Sequence, residues 1–133
     1  MNNVVIYNEF FERILSDLDL ASDTIKAMLL TNRYVPRPEH RFDDVVGEVN
    51  GKGYLAGGKA LENKRTAGGV FRADNLTWSD ATIRDADQVL IYRRSDGLLI
   101  CCLKFDESVS CKNQSFELNW DDCILDIRAF EIV

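Results

Sequence analysis

The sequence predicts a mainly β fold: a single-domain β-sandwich or barrel-like fold with one short N-terminal helix and a long Pro-containing loop. Three observations carry this expectation. Short apolar runs recur at roughly 8 to 12 residues with Gly, Asp and Asn between them, the spacing of antiparallel strands joined by turns. One segment alone has the period of a helix. At 133 residues the chain can bury one sizeable core and is short for two, so residues 1–133 are expected to form one domain.

The helical segment is NEFFERILSDLDL, with Phe10, Phe11, Ile14, Leu15 and Leu18 at i, i+3, i+4 and i+7/i+8 spacing. Asn8 is the expected N-cap, with Glu9 and Glu12 near the positive end of the dipole, and the helix is expected over residues 8–17. Residues 24–31 change to a strand pattern with apolar side chains on both faces, as for a strand covered on two sides. Residues 32–44, NRYVPRPEHRFDD, hold both prolines and no period, so a long loop or extended arm is expected.

After the arm come short strand candidates: VVGEV, GYLAGGKAL, GGVFRADNLTW, ATIRDADQVLIYRR, LLICCLKFD, SFELNW and CILDIRAFEIV. RSDG at 94–97 carries the Asp-Gly signal of a hairpin turn between two of them. SFELNW alternates Phe116, Leu118 and Trp120 against polar residues and reads as a half-buried strand. The last run has a mixed pattern that suits an edge strand or a tail facing a partner.

The glycine cluster in GYLAGGKALENK, residues 53–64, raises the possibility of a phosphate loop. That motif needs G-x-x-x-x-G-K-[ST] ahead of a helix, so that helix N–H groups meet the phosphate. Here Lys59 is followed by Ala60 and no helical period follows. The stretch reads as a strand with a Gly-Gly bend or bulge, Tyr54 and Leu61 packing inward.

Other chemistries are equally poorly supplied. A net charge of −6 and a pI near 4.7 argue against a nucleic-acid groove or an anionic membrane surface. No apolar run approaches the roughly 20 residues of a membrane-spanning helix. The N-terminus lacks the pattern of a secretory signal, so folding in a cytoplasm is expected. Cys101, Cys102, Cys111 and Cys123 show no metal or redox spacing and are expected as reduced structural thiols, the adjacent pair facing opposite ways along a strand. His40 is the single histidine and sits in a loop without a nucleophile motif. The carboxylate pairs Asp43–Asp44, Asp85/Asp87 and Asp121–Asp122 read as turn or edge residues. No catalytic residue, metal or cofactor is expected.

The arm is different. Arg33, Arg37 and Arg41 recur every fourth residue with Tyr34, His40 and Phe42 interleaved, in an otherwise acidic chain. Arg and aromatic residues are enriched at protein interfaces, and Pro36 and Pro38 stiffen the segment and lower its ordering cost.

Four blocks in fixed order resemble a family of small tailed-bacteriophage virion proteins. They are Y-N-x-F at Tyr7, Asn8 and Phe10; D-T-I-K-x-x-L-x-T-x-x-Y-x-P from Asp23 to Pro36; G-x-G-Y-x-A-G-G from Gly51 to Gly58; and F-x-A-D-x-x-x-W-x-x-A-T-I from Phe71 to Ile83. The resemblance covers residues 4–93 well and the remainder loosely. The sequence departs from the pattern at RDADQVLIY, at the CC pair and at the basic RYVPRPEHR.

The resemblance implies a β-rich, non-enzymatic virion subunit made in the host bacterial cytoplasm. Foremost it implies a capsid decoration or cement protein on the outside of the head, binding neighbouring major capsid protein subunits and associating with itself. The expected contact elements are Asn2, Asn3, Val4, Val5, Ile6 and Tyr7, together with Arg33, Tyr34, Pro36, Arg37, Pro38, His40, Arg41 and Phe42. One alternative is a tail-tube, baseplate or adsorption protein. Another is a carbohydrate- or host-binding β-module with Trp78, Trp120 and Tyr92 as an aromatic platform, against which stands the expectation that these rings are core.

Overall fold

The computed structural model describes residues 3–127. Its strands are β1 (Asn3–Ile6), β2 (Ile25–Leu30), β3 (Lys59–Ala60), β4 (Arg65–Ala67), β5 (Val70–Arg72), β6 (Leu76–Arg93), β7 (Leu99–Leu118) and β8 (Leu125–Asp126), with one α-helix, α1 (Asn8–Ile14), and a single 3-10 turn at Phe42–Asp44. They form an antiparallel five-stranded sheet in the order β1-β7-β6-β2-β3 and an antiparallel three-stranded sheet in the order β4-β5-β8. The mainly β, sandwich-like fold with one short helix is as expected. The larger sheet does not close into a barrel; it ends on β1 and β3.

The spine is one long hairpin rather than the several short strands the turn signals suggested. β6 runs 18 residues and β7 runs 20, joined at the Asp-Gly turn. The Asp and Asn residues that resemble turn signals are bulges instead. Asp80, Asp85 and Asn113 have φ of 48°, 57° and 51°, and the β6–β7 register shifts around them. Asp and Asn tolerate the left-handed conformation that both a tight turn and a bulge require, so local sequence does not separate the two.

Three further expectations are corrected. VVGEV is not a strand; it contributes one isolated bridge, Leu30 to Glu48. GYLAGGKAL is mostly turn, with only Lys59–Ala60 paired on β2. The helix is capped by Tyr7, extended at φ −82° and ψ 148°, and Asn8 is its first residue. The Asn8 N–H is already held by the Pro38 carbonyl at 2.8 Å. The helix also stops early: the amides of Ser16, Asp17 and Leu18 all turn back to the Arg13 carbonyl, which carries Leu18 into the core. In the last run, Leu125–Asp126 is an edge strand on β5, and the portion beyond residue 127 lies outside the described residues.

The alternation of side chains along the large sheet makes two apolar layers. Ile25, Ala27, Leu29, Val89, Ile91 and Cys101 belong to the main core, with Phe10 of the helix and Phe71 and Leu125 of the small sheet. Met28, Leu30, Leu90, Tyr92, Leu99 and Cys102 form the second layer, with Tyr7 and Tyr34. Cys101 and Cys102 thus face opposite ways, as the strand period requires. Trp78 and Trp120 are core: Trp78 meets Phe116 edge-on at 5.9 Å, and the Trp120 indole N–H donates to the Asp74 carbonyl. Tyr92 is buried as well, so these three rings present no exposed platform.

Gly58 shows why the glycine cluster exists. It has φ +82°, and a Cβ there would lie 1.9 Å from the Ala27 carbonyl oxygen. The loop therefore lies against β2 with no space for a side chain. Tyr54 and Leu61 do pack inward, and Lys59 is bound to the Thr77 carbonyl and sits over the Trp78 ring. The cluster is a packing device.

One charged side chain is buried at the hairpin turn. Arg93, 7% exposed, makes two bonds to Asp96, at 3.1 and 2.8 Å, and reaches Asp23 and Asp17 at 3.3 Å. The Asp96 carboxylate raises the guanidinium pKa above its usual value; the same bond holds Asp96 below the ordinary carboxylate range. The clamp ties the hairpin turn to the α1–β2 connection.

Candidate protein-contact surface

The arm is not free. It folds back over the second apolar layer, and the residues that hold it down determine which residues remain outward. Tyr34 is buried and Phe42 rests on the Tyr92 ring at 5.2 Å. The latch is Gln88, buried in the middle of β6, whose side-chain amide donates to the Thr31 carbonyl at 2.9 Å and the Tyr34 carbonyl at 2.7 Å. Its oxygen faces the Cys102 thiol, the donor, at 3.5 Å. Three separate stretches of sequence therefore meet at one point: RDADQVLIY supplies Gln88, the CC pair supplies Cys102, and RYVPRPEHR supplies the chain they hold.

The two expected contact elements also come together. The hydroxyls of Tyr7 and Tyr34 are 2.7 Å apart, and Tyr34 is 2.9 Å from Nδ1 of His40, giving a chain of polar groups from the core to the surface. Burial pushes the Tyr34 phenol up to about 12 and the Cys102 thiol up to about 12, and raises Tyr7 further. These are neutral groups serving as hydrogen-bond partners, with no tendency to become nucleophiles. Arg41 reaches Glu9 of the helix at 3.5 Å. Desolvation, opposed by Arg41, raises the Glu9 pKa, and one of its oxygens is buried without a partner among the described residues.

Between β1 and the arm runs a cleft of about 450 Å³. Asn3, Val4 and Val5 form one side and Asn32, Val35 and Pro36 the other, with Gln88, Cys102 and Lys104 below. Outward from it stand Arg33, Val35, Arg37, Pro38 and Arg41, all exposed; Val35 is 71% exposed. β1 pairs with β7 on one side and carries no strand on the other among the described residues. Asn2 lies outside the described residues.

The structure thus brings residues 3–7 and 33–42 into one surface, while assigning different parts to them. Tyr7 and Tyr34 anchor from beneath, His40 and Pro36 are half-buried, and the arginines face solvent. Sequence reading passed over Gln88 and Val35 and took Asp87 for a turn or edge residue, whereas Asp87 is buried within β6; of the three, Gln88 and Asp87 stand together in the chain. Gln88 and Asp87 had a signal: a polar pair inside an apolar run, ADQVLIY, marks buried polar groups that need partners. Asp87 finds its partner in Ser108, whose hydroxyl donates to it at 3.0 Å.

The surface offers extended backbone, apolar side chains and cations on a rigid base. These are means of binding another protein. Among the described residues no group of three His, Cys, Asp or Glu side chains is placed to hold a metal ion, and no helix is long and apolar enough to cross a membrane. No protein-family model matches the chain, and neither the curated proteins nor the solved structures contain a match to it.

Proposed function

We propose that this chain is a bacteriophage virion structural protein, a capsid decoration protein that binds the outside of the head and stabilises the lattice of the major capsid protein. The reading starts from the four sequence blocks that resemble small virion proteins. The observation that carries it is the joining of the β1 edge and the arginine-bearing arm into one latched, outward surface on an otherwise acidic molecule. A pre-ordered surface loses little entropy on docking, so a modest patch suffices when the partner surface repeats many times over a shell. The arm's cations call for an acidic patch on that partner.

The test is co-sedimentation of purified protein with emptied heads and, separately, with tails. Saturable binding to heads, weakened at least tenfold by Val35→Asp with Arg37→Glu, is the expected result. Binding to tails alone would transfer the protein to the tail, and binding to neither would refute the virion reading.

A further inference from the structure

We infer that the arm of one copy docks into a trough on β7 of a second copy, so that the protein assembles with itself head to tail. The trough, about 510 Å³, lies where β7 continues past the end of β1 and has only β6 beside it among the described residues. Its apolar lining includes Phe105, Val109, Phe116 and Leu118. Its rim carries Asp106, Glu107 and Glu117, whose side chains make no hydrogen bond or ion pair with the described residues.

The arm is the complementary shape. Arg33, in the turn at Asn32–Arg33, Val35 and Arg37 are exposed while Tyr34 is buried, so the segment presents cation, apolar and cation outward. The Arg33 guanidinium has no ion-pair partner among the described residues, and Arg37 pairs only with exposed Glu39 of the same loop at 3.4 Å. Pro36 and Pro38 lack the N–H needed to extend a sheet, so the contact is made by side chains entering the trough rather than by an added strand. Cationic ridge and acidic, apolar trough match in charge and in form.

The contact is between molecules. Gln88 holds the arm at the Thr31 and Tyr34 carbonyls, beside the cleft against β1, whereas the trough is lined by the part of β7 beyond the end of β1, so ridge and trough are separate surfaces of one copy. A ridge and a trough on different surfaces make a heterologous contact, which repeats from copy to copy into a ring or an open chain. It rests on the arm being the contact element proposed above: the same residues serve both contacts, so the two exclude one another on any one arm, and self-assembly describes the protein free of the particle.

Analytical ultracentrifugation of the full chain tests it. The weight-average mass should rise with protein concentration and fall when salt is raised from about 0.05 to 0.5 M, as ion pairs at a rim are screened. Arg33→Ala with Arg37→Ala removes the ridge, and Asp106→Lys with Glu107→Lys removes the trough. All four sites are exposed, so each variant should keep its circular dichroism and melting temperature while remaining monomeric. Mixed in equal amounts, the variants retain one good ridge and one good trough, and should give a heterodimer and nothing larger. A wild-type chain still monomeric at about 1 mM, variants that assemble as the wild type does, or a mixture without heterodimer would overturn the inference. None of these measurements involves heads or tails, so failure here leaves the virion reading to its own test.

Discussion

Replacing Gln88 by Leu should release the arm without unfolding the sheet. Gln88 is 2% exposed, and its amide satisfies the carbonyls of Thr31 and Tyr34 at 2.9 and 2.7 Å. Leu keeps most of the volume and removes both donors. A buried acceptor left without a partner costs about 1–3 kcal/mol; the Tyr34 carbonyl loses this donor outright while the Thr31 carbonyl keeps the long Tyr34 N–H bond at 3.4 Å, so the substitution costs roughly 1.5–4 kcal/mol if the arm stays in place. Lifting the arm restores water to both carbonyls, at the expense of exposing Tyr34 and part of the second layer, including Met28 and Leu30. Burying a large apolar side chain contributes about 1.5–3 kcal/mol, so the two costs are comparable and the arm should open far more often than in the wild type. At about 1.4 kcal/mol per tenfold, tryptic cleavage after Arg33 and Arg41, the arm arginines not followed by proline, should accelerate by between ten- and a thousandfold. Hydrogen exchange should accelerate over residues 31–47 and stay slow in β6 and β7. Unchanged cleavage would show that the aromatic contacts alone hold the arm, and uniform loss of protection would show that arm and sheet are one cooperative unit.

Arg93→Met should destabilise the fold by about 2–3 kcal/mol in urea titration, below the ~3–5 typical of a broken buried pair because Asp17 and Asp96 are open to solvent. Asp96 is held below the ordinary carboxylate pKa, so its contribution is fully present above the unfolded value of about 3.9 and is lost as pH falls through the lower folded value. The acid limb of the stability curve below about pH 4 should therefore be shallower in Arg93→Met than in the wild type. In thiol titration, half-buried Cys111 and Cys123 should react first; Cys101 and Cys102, buried and with raised pKa, should react only as fast as the protein opens. Gly58→Ala should abolish folding or cost more than about 3 kcal/mol, because a 1.9 Å clash with β2 adds to left-handed strain. Gly68→Ala, at φ +59° with nothing within 4 Å, should cost only about 1–2 kcal/mol. Thermal melts of the two variants side by side check the difference.

What was legible in the sequence is what depends on period and on single residues. The helix at Phe10, the Asp-Gly hairpin, the opposed cysteines and the inward tryptophans each follow from local alternation or spacing. What was not legible depends on partners far along the chain. Asp80 and Asp85 look like turn formers, and only pairing with β7 reveals that the strand continues through them. Asn8 is a good capping residue, but Pro38, 30 positions away, takes its amide. The arm was legible as a stiff basic segment; that Tyr34 and not Arg33 is its anchor depends on Gln88, which lies 54 positions on.

The residues that carry the family resemblance are, in three dimensions, almost all fold-forming. Asp23 binds Arg93, Gly58 lies against β2, Tyr54 donates to Glu48 and stacks on Trp78, and Trp78 closes on Phe116. Substituting them would test stability and say little about binding. The departures from the pattern have the opposite character. Gln88 and Cys102 lie beneath the arm and set its path, while Arg33, Val35 and Arg37 stand on its outer side, where packing places no demand on them. A chain that keeps the first set and varies the second retains its scaffold while changing what it presents. If the arm is the contact element proposed above, exchanging residues 31–47 together with Gln88 for those of a second protein with this scaffold should exchange the binding partner while leaving the melting curve nearly where it was.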